Sequence, residues 1–169
     1  TVVGTLLFMQ VVGYSLVLKL IARRSPIDFF KKAEIVMMTA FSTSSSNATL
    51  PTTMRVAEEE LRLPREVGGF VLPLGATLNM NGTALYEAVA AVFIAQSIGI
   101  DLSLPQLIVV MLTATLAAIG AAGIPEAGLV TMTLVLTAVG LPVEGIGTIL
   151  AIDWFLDRAR TTVNIYSDA

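Results

Sequence analysis

The 169-residue sequence has no cysteine and no histidine. Disulfides, thiol nucleophiles and His-ligated metal centres are excluded within it. Charge is scarce: Asp, Glu, Lys and Arg make up 14% of the chain against 55% hydrophobic residues. Mean hydropathy is +0.82. That composition points to an integral membrane protein rather than a soluble domain. A net charge of −3 lacks the basic excess that a nucleic-acid partner needs, so none is expected. Positive charge is missing from a long interval. Eight of the ten Lys and Arg lie at or before Arg65, and none falls between Arg65 and Arg158. By the positive-inside rule, the segments around Lys19–Lys32 and Arg55–Arg65 are cytoplasmic. The chain begins at Thr1 inside an apolar run, without a signal-peptide layout, and is read as a fragment of a larger membrane protein.

The last stretch is the most informative. Read as a helix at about 100° per residue, Asp153, Asp157, Arg160, Thr161, Asn164 and Asp168 fall within roughly 100° of arc. In lipid such groups are costly and face a bundle interior, a partner or a solute path. Carboxylates suit an ammonium or a cation, and a guanidinium fork suits a carboxylate, so the stripe fits a small zwitterion. The alternative is a helix end with solvated charges in the headgroup region.

Five segments follow from the pattern. Residues 1–24 read as a spanning helix. Residues 25–66 read as a cytoplasmic segment and a first re-entrant hairpin. Its tip, 42–51, is a hydroxyl-rich run closed by Leu50-Pro51, which is expected to break a helix; the alternative is a Ser-rich surface loop. Residues 67–100 read as a spanning helix broken around Gly75–Thr83, where Asn79 and Asn81 are poor helix interior. Unwinding there would release carbonyl oxygens suited to an alkali cation. Glu87 follows; its alternative role is a structural pair with a buried Arg. Residues 101–143 read as the arms of a second re-entrant hairpin with its tip at 117–126; close packing of helices through small residues is the competing account. Residues 144–169 form the last, partly polar helix. The separations Pro51 to Asn79 and Pro125 to Asp153 are both 28 positions. The order of hairpin then interrupted helix thus occurs twice, from opposite faces, as inverted repeats do. The expected fold is an all-α membrane protein with spanning helices, two re-entrant hairpins and discontinuous helices.

Four motifs carry a resemblance: Ser44-Ser45-Ser46-Asn47-Ala48-Thr49-Leu50-Pro51, Asn79-Met80-Asn81-Gly82-Thr83-Ala84-Leu85-Tyr86-Glu87, Ile119-Gly120-Ala121-Ala122-Gly123-Ile124-Pro125, and Asp153 to Asn164. In this order they resemble the C-terminal transport core of the excitatory amino acid transporter family, the dicarboxylate/amino acid:cation symporters. The resemblance covers essentially the whole chain; the family's scaffold helices precede it.

The resemblance implies a set of roles. Ser45 and Ser46 lie near the substrate's α-carboxylate, with Thr83 and Gly123 close by. Asp157 takes the ammonium and Arg160 the side-chain carboxylate, and Thr161 and Asn164 complete the pocket. Gly75, Asn79, Asn164 and Asp168 hold one sodium. Thr77, Met80, Ala118, Ile119 and Ala121 form a second sodium site under the second hairpin, the extracellular gate. Glu87 matches the position tied to proton and potassium coupling in animal members, and Arg158 also matches those members. Asn81 stands where the family commonly carries Asp, a ligand of a third sodium, so that site is weakened or altered. Asn47 replaces a common Ser, with a smaller effect.

The activity implied is sodium-coupled, and also proton-coupled, uptake of glutamate or aspartate by an elevator-type transport domain. It needs no cofactor, since sodium is a coupled substrate. The setting implied is a multi-pass protein of the cell membrane, a homotrimer in full-length form. Rivals are a C4-dicarboxylate or neutral amino acid symporter, a structural membrane subunit or channel, and an intramembrane aspartyl protease using Asp153 and Asp157. Arg160 disfavours a neutral substrate. A protease needs two opposed Asp, whereas these share one helix at i, i+4, and no Gly-x-Gly-Asp occurs.

Overall fold

The computed structural model describes residues 1–168, and every regular element among them is helical. Helix α1, Val2–Leu20, contains a π-helical turn at Met9–Gly13 and is the helix, among the described residues, long and apolar enough to cross a membrane. Ser25 in extended conformation and Pro26 at the first position start α2, Pro26–Lys32. Asp28 in its first turn and Lys31 and Lys32 in its last complement the helix dipole.

Helix α3, Glu34–Thr43, ends on Ser44, which is left-handed at φ 49°. Ser45 is extended, and its hydroxyl accepts from the Ala48 N–H to start α4, Ser46–Glu59. The break is therefore two residues long. Leu50-Pro51, expected to break the chain, lies inside α4 instead. On either side of that break the hydroxyl-rich run is helical, with hydroxyls satisfied on carbonyls one turn back. Ser42 bonds Met38, Thr43 bonds Thr39 and Thr49 bonds Ser45, at 2.7–2.9 Å.

Helix α5, Arg65–Leu78, and helix α6, Asn81–Ser97, are separated by Asn79 and Met80. Helix α7, Leu104–Ile119, opens with a capping box between Ser103 and Gln106. After a tip with Glu126 left-handed at φ 63°, α8 runs over Ala127–Ala138. A 3₁₀ turn, Val143–Ile146, leads into α9, Gly147–Asp168. Helix α9 is the central element and packs on α1, α3, α4, α5 and α6.

The main core joins α6 to α7, α8 and α9 through Ala91, Ile94, Ala114, Met132, Val135 and Ile149. A separate aromatic cluster sets Tyr166 of α9 against Tyr14, Phe29 and Phe30. Polarity runs the wrong way for a protein surrounded by water. Glu87, Asp153 and Arg160 are 0–1% exposed, whereas Phe70, Leu104 and Val130 are 69–72% exposed. Such an exterior fits a lipid or protein surround.

Gly82 marks the tightest crossing of α6 and α9. A methyl there would sit 2.6 Å from the Arg160 carbonyl oxygen, which belongs to the backbone and has little freedom to yield. Gly82→Ala is expected to cost about 1–3 kcal/mol by overpacking. Gly69 has nothing within 4 Å of a Cβ. A lowered melting midpoint in detergent for Gly82→Ala, but not for Gly69→Ala, checks this; equal midpoints would show that the crossing is not tight.

Candidate functional site

Arg160 is the centre of the site. One guanidinium nitrogen donates to Asp153 Oδ1 at 2.7 Å, and the other reaches Asp153 Oδ2 at 3.4 Å and Asp157 Oδ1 at 2.9 Å. The group lies over the Tyr86 ring, 4.2 Å from its centroid. Gly128 of α8 closes the other side: a Cβ there would be 3.1 Å from Arg160 Cζ. The second oxygen of Asp157 accepts the Glu126 N–H at 2.9 Å. Asp157 thus ties the last helix to the second tip.

Asn164 stands one turn further along α9. Its Oδ1 accepts the Gly82 N–H at 2.7 Å and the Thr83 N–H at 3.4 Å. Those are orphan donors of the first turn of α6, so Asn164 caps that helix from a distance. Its Nδ2 donates to Thr83 Oγ1 at 3.0 Å and lies 3.3 Å from the Met80 sulfur. The two tips meet above. Ser45 Oγ donates to the Gly123 carbonyl at 2.6 Å, and the Asn47 N–H donates to the same oxygen at 3.1 Å. Beneath them is a cavity of about 10 Å³, the space of roughly one water.

Of the residues singled out in the sequence, Ser46, Thr83, Gly123, Asp157, Arg160, Thr161 and Asn164 line this one cavity. Met80 and Ala121 line it too. The Ser45 hydroxyl turns away to Gly123 and Ala48. A second cluster gathers Gly75, Asn79 and Asp168. Asn79 Nδ2 donates to Asp168 Oδ1 at 2.9 Å and to Ser167 Oγ at 2.7 Å, and Ser167 donates to the Asn164 carbonyl at 2.7 Å. Gly75 leaves room for that carboxylate: a Cβ would lie 2.8 Å from Asp168 Oδ1. Its oxygens are hard donors suited to an alkali cation.

Thr77 is exposed and bonds its own helix at Pro73. Ala118 is buried and Ile119 exposed, at the end of α7. Asn81 is the half-buried first residue of α6. Glu87 does not pair with an arginine; its partner is the Thr131 hydroxyl, which donates to Oε1. Four residues take parts that the sequence reading did not assign them: Asp153 as holder of Arg160, Tyr86 beneath it, Gly128 against it, and Thr131 on Glu87. Asp153 lies in the polar stripe, and Tyr86 in the second motif. No local signal marks Gly128 or Thr131.

Asp153 and Asp157 share one guanidinium, so neither stands free. Asp153→Asn leaves Arg160 paired with Asp157 alone and removes the charge-assisted hydrogen bonds that Asp153 accepts from the guanidinium. It is expected to destabilise the full-length protein by about 1.5–3 kcal/mol. Asp28→Asn, which breaks the exposed 2.9 Å pair with Lys32, is expected to cost less than about 1 kcal/mol. Unfolding of both variants in detergent measures the difference; equal losses would contradict the arrangement.

The model of the sodium:dicarboxylate symporter family matches residues 1–169. The chain is 53% identical over 169 residues to excitatory amino acid transporter 3 of Oryctolagus cuniculus, covering all of this chain and 32% of that protein. It is 52% identical to an excitatory amino acid transporter of Caenorhabditis elegans, 34% of which is covered, and 52% identical to excitatory amino acid transporter 1 of Rattus norvegicus, 31% of which is covered. In each case the match includes 100% of this chain. The chain therefore spans about a third of the length of the curated relatives it matches. With the family matched from Thr1 to Ala169, the chain belongs to the sodium:dicarboxylate symporter family.

Proposed function

We propose that the protein is a sodium-coupled secondary transporter of acidic amino acids in the cell membrane, and that this chain is the part that carries the substrate. The observation that carries the reading is the buried Arg160–Asp157 pair, 2.9 Å apart, in a cavity under two touching tips. An acidic amino acid matches that pair group for group. Its side-chain carboxylate takes the place of Asp157 on the guanidinium, and the released Asp157 takes the ammonium. Thr161 and Asn164 complete the pocket, and the first tip, with Ser45 and Ser46, receives the α-carboxylate. Thr83 and Gly123 border the same space. The cavity is nearly filled in this structure, so loading requires the tips to part.

Charge balance supports cation coupling. Arg160 with Asp153 and Asp157 sums to −1, and an acidic amino acid adds another −1. Burying −2 in a low-dielectric site is costly, and bound cations offset it. The Gly75, Asn79, Asn164 and Asp168 cluster is the first sodium site in this reading. Thr77, Met80, Ala118, Ile119 and Ala121 supply the second, and Asn81 borders a weakened third. Glu87 carries a coupled proton, with potassium counter-transport at the same position. The helix pairs α3/α4 and α7/α8 act as re-entrant hairpins of two inverted repeats, and the whole body moves as an elevator within a homotrimer. The names of the three relatives refer to transport of excitatory amino acids, and the family description to sodium and a dicarboxylate, for those proteins. A protease reading lacks a water site between two opposed Asp, because one guanidinium spans both.

Uptake by the full-length protein in liposomes tests this, with labelled aspartate, glutamate, succinate and serine and each cation gradient imposed separately. Accumulation of aspartate or glutamate driven by inward sodium is expected. Sodium-independent uptake, or preference for succinate or serine, would overturn the assignment. In the same assay Arg160→Thr should lower affinity for aspartate by roughly 100-fold, the cost of losing hydrogen bonds to a charged group, and admit neutral amino acids. Unchanged aspartate affinity would remove Arg160 from the pocket.

Asn81 gives a separate test. A hard cation gains most from a full negative charge, and an amide oxygen offers only a dipole. Asn81→Asp is expected to reduce the sodium concentration needed for aspartate binding. Identical midpoints and Hill slopes would show that position 81 is not a cation ligand.

A further inference from the structure

Thr131 occupies a position from which it touches both Glu87 and the first turn of its own helix. Its Oγ1 meets Glu87 Oε1 and lies 3.1 Å from the Ala127 carbonyl and 3.4 Å from the Gly128 carbonyl. Glu87 Oε2 has no partner among the described residues, so Thr131 is the hydrogen-bond link between this fully buried carboxyl and its surroundings. A hydroxyl has one hydrogen to give and two lone pairs to offer. It cannot donate to Glu87 and to α8 at once. We propose that Thr131 is a positioning residue that registers the protonation state of Glu87 and relays it to the first turn of α8. The proposal rests on the reading of Glu87 as the coupled-proton site.

The two states follow from hydrogen counting. With Glu87 ionised, Thr131 donates to Oε1, and the Ala127 and Gly128 carbonyls lose that donor. When a proton from water forms an O–H bond at Oε1, Glu87 becomes the donor and Thr131 Oγ1 the acceptor. The Thr131 hydrogen then rotates about the Cβ–Oγ1 bond toward the Ala127 or Gly128 carbonyl. No bond of Thr131 breaks; only its direction of donation reverses.

The turn that receives this signal touches both charged groups of the pocket. Gly128 abuts the Arg160 guanidinium, and the neighbouring Glu126 N–H holds Asp157 at 2.9 Å. Few other groups compete for the role. Helices α7 and α8 carry no titratable side chain, and neither does the part of α1, Val2–Phe8, that packs on α6. From α9 comes Arg160 with Asp153 and Asp157 bound to it, and from α6 itself comes Tyr86. Arginine stays charged throughout.

The test uses the full-length protein in liposomes, with Thr131→Val, Thr131→Ser and Glu87→Gln. Net uptake and exchange of internal for external aspartate are measured across pH. Valine matches threonine in shape and lacks the hydroxyl; serine keeps it. Thr131→Val should displace the pH midpoint of net uptake by about one unit or more, the scale of one lost hydrogen bond to a charged group. Net uptake should also fall at least about tenfold relative to exchange, a change of the same size. Thr131→Ser should restore both. An unchanged midpoint and ratio in Thr131→Val, beside a flat pH profile in Glu87→Gln, would overturn the relay alone. So would a Thr131→Ser protein as impaired as Thr131→Val at equal membrane expression. A Glu87→Gln protein that keeps the wild-type pH response would instead overturn the proton site on which the relay rests.

Discussion

Two carboxylates and an aromatic face hold one guanidinium out of water, and the positions of α6, α8 and α9 follow from that arrangement. Arg160 at 1% exposure is tolerable because Asp153 and Asp157 supply charge and Tyr86 supplies a π face. The contact on the remaining side is made by Gly128, whose lack of a side chain lets α8 come down onto the group. Gly82 does the same for α6 against the Arg160 backbone. A larger residue at either place would push a helix away and admit solvent to a charge that depends on exclusion of water.

The broken helices serve that centre. A chain reversal in an apolar setting leaves backbone donors and acceptors that nothing local can satisfy. In this protein they are satisfied by remote side chains. Asn164 binds the first amides of α6, Asp157 binds the amide of Glu126, and Ser45 binds the carbonyl of Gly123. Each of these groups also borders the cavity or one of the two tips that meet over it. In the proposed function, a solute that displaces one must leave a backbone group to be satisfied by something else, and occupancy of the pocket would then depend on the placement of the tips. In that function, the same bonds that complete the fold are the ones a substrate would exchange.

The polar stripe of α9 was legible because helical periodicity places every third or fourth residue on one side, and charge inside an apolar chain has few places to go. Asp153, Asp157, Arg160, Thr161 and Asn164 are all buried, whereas Trp154 and Phe155 are exposed. The first break lies inside the expected tip, 42–51, but its place within that run was not legible. Serine and threonine read as helix breakers from composition, yet Ser42, Thr43 and Thr49 bond the carbonyl one turn back and remain helical. Pro51 reads as a stop and is carried inside α4, while the turn itself depends on Ser44 adopting a left-handed backbone. Local propensity sets a cost for these conformations, and packing decided where it was met.

By itself the sequence determined the all-helical class, the family, and the residues that carry charge into the interior, because periodicity, composition and motif order are properties of the chain. It did not determine that Asp153 and Asp157 together hold Arg160, that Thr131 and not an arginine faces Glu87, or that the tips meet through Gly123. Those contacts join residues far apart in the chain: Asn164 and Gly82 are 82 positions apart, Ser45 and Gly123 are 78, and Thr131 and Glu87 are 44. A hydrogen bond forms only where two helices bring donor and acceptor within about 3 Å. That distance is set by how the helices cross, and the crossings depend on small residues such as Gly82 and Gly128, whose effect appears only when a second helix lies against them.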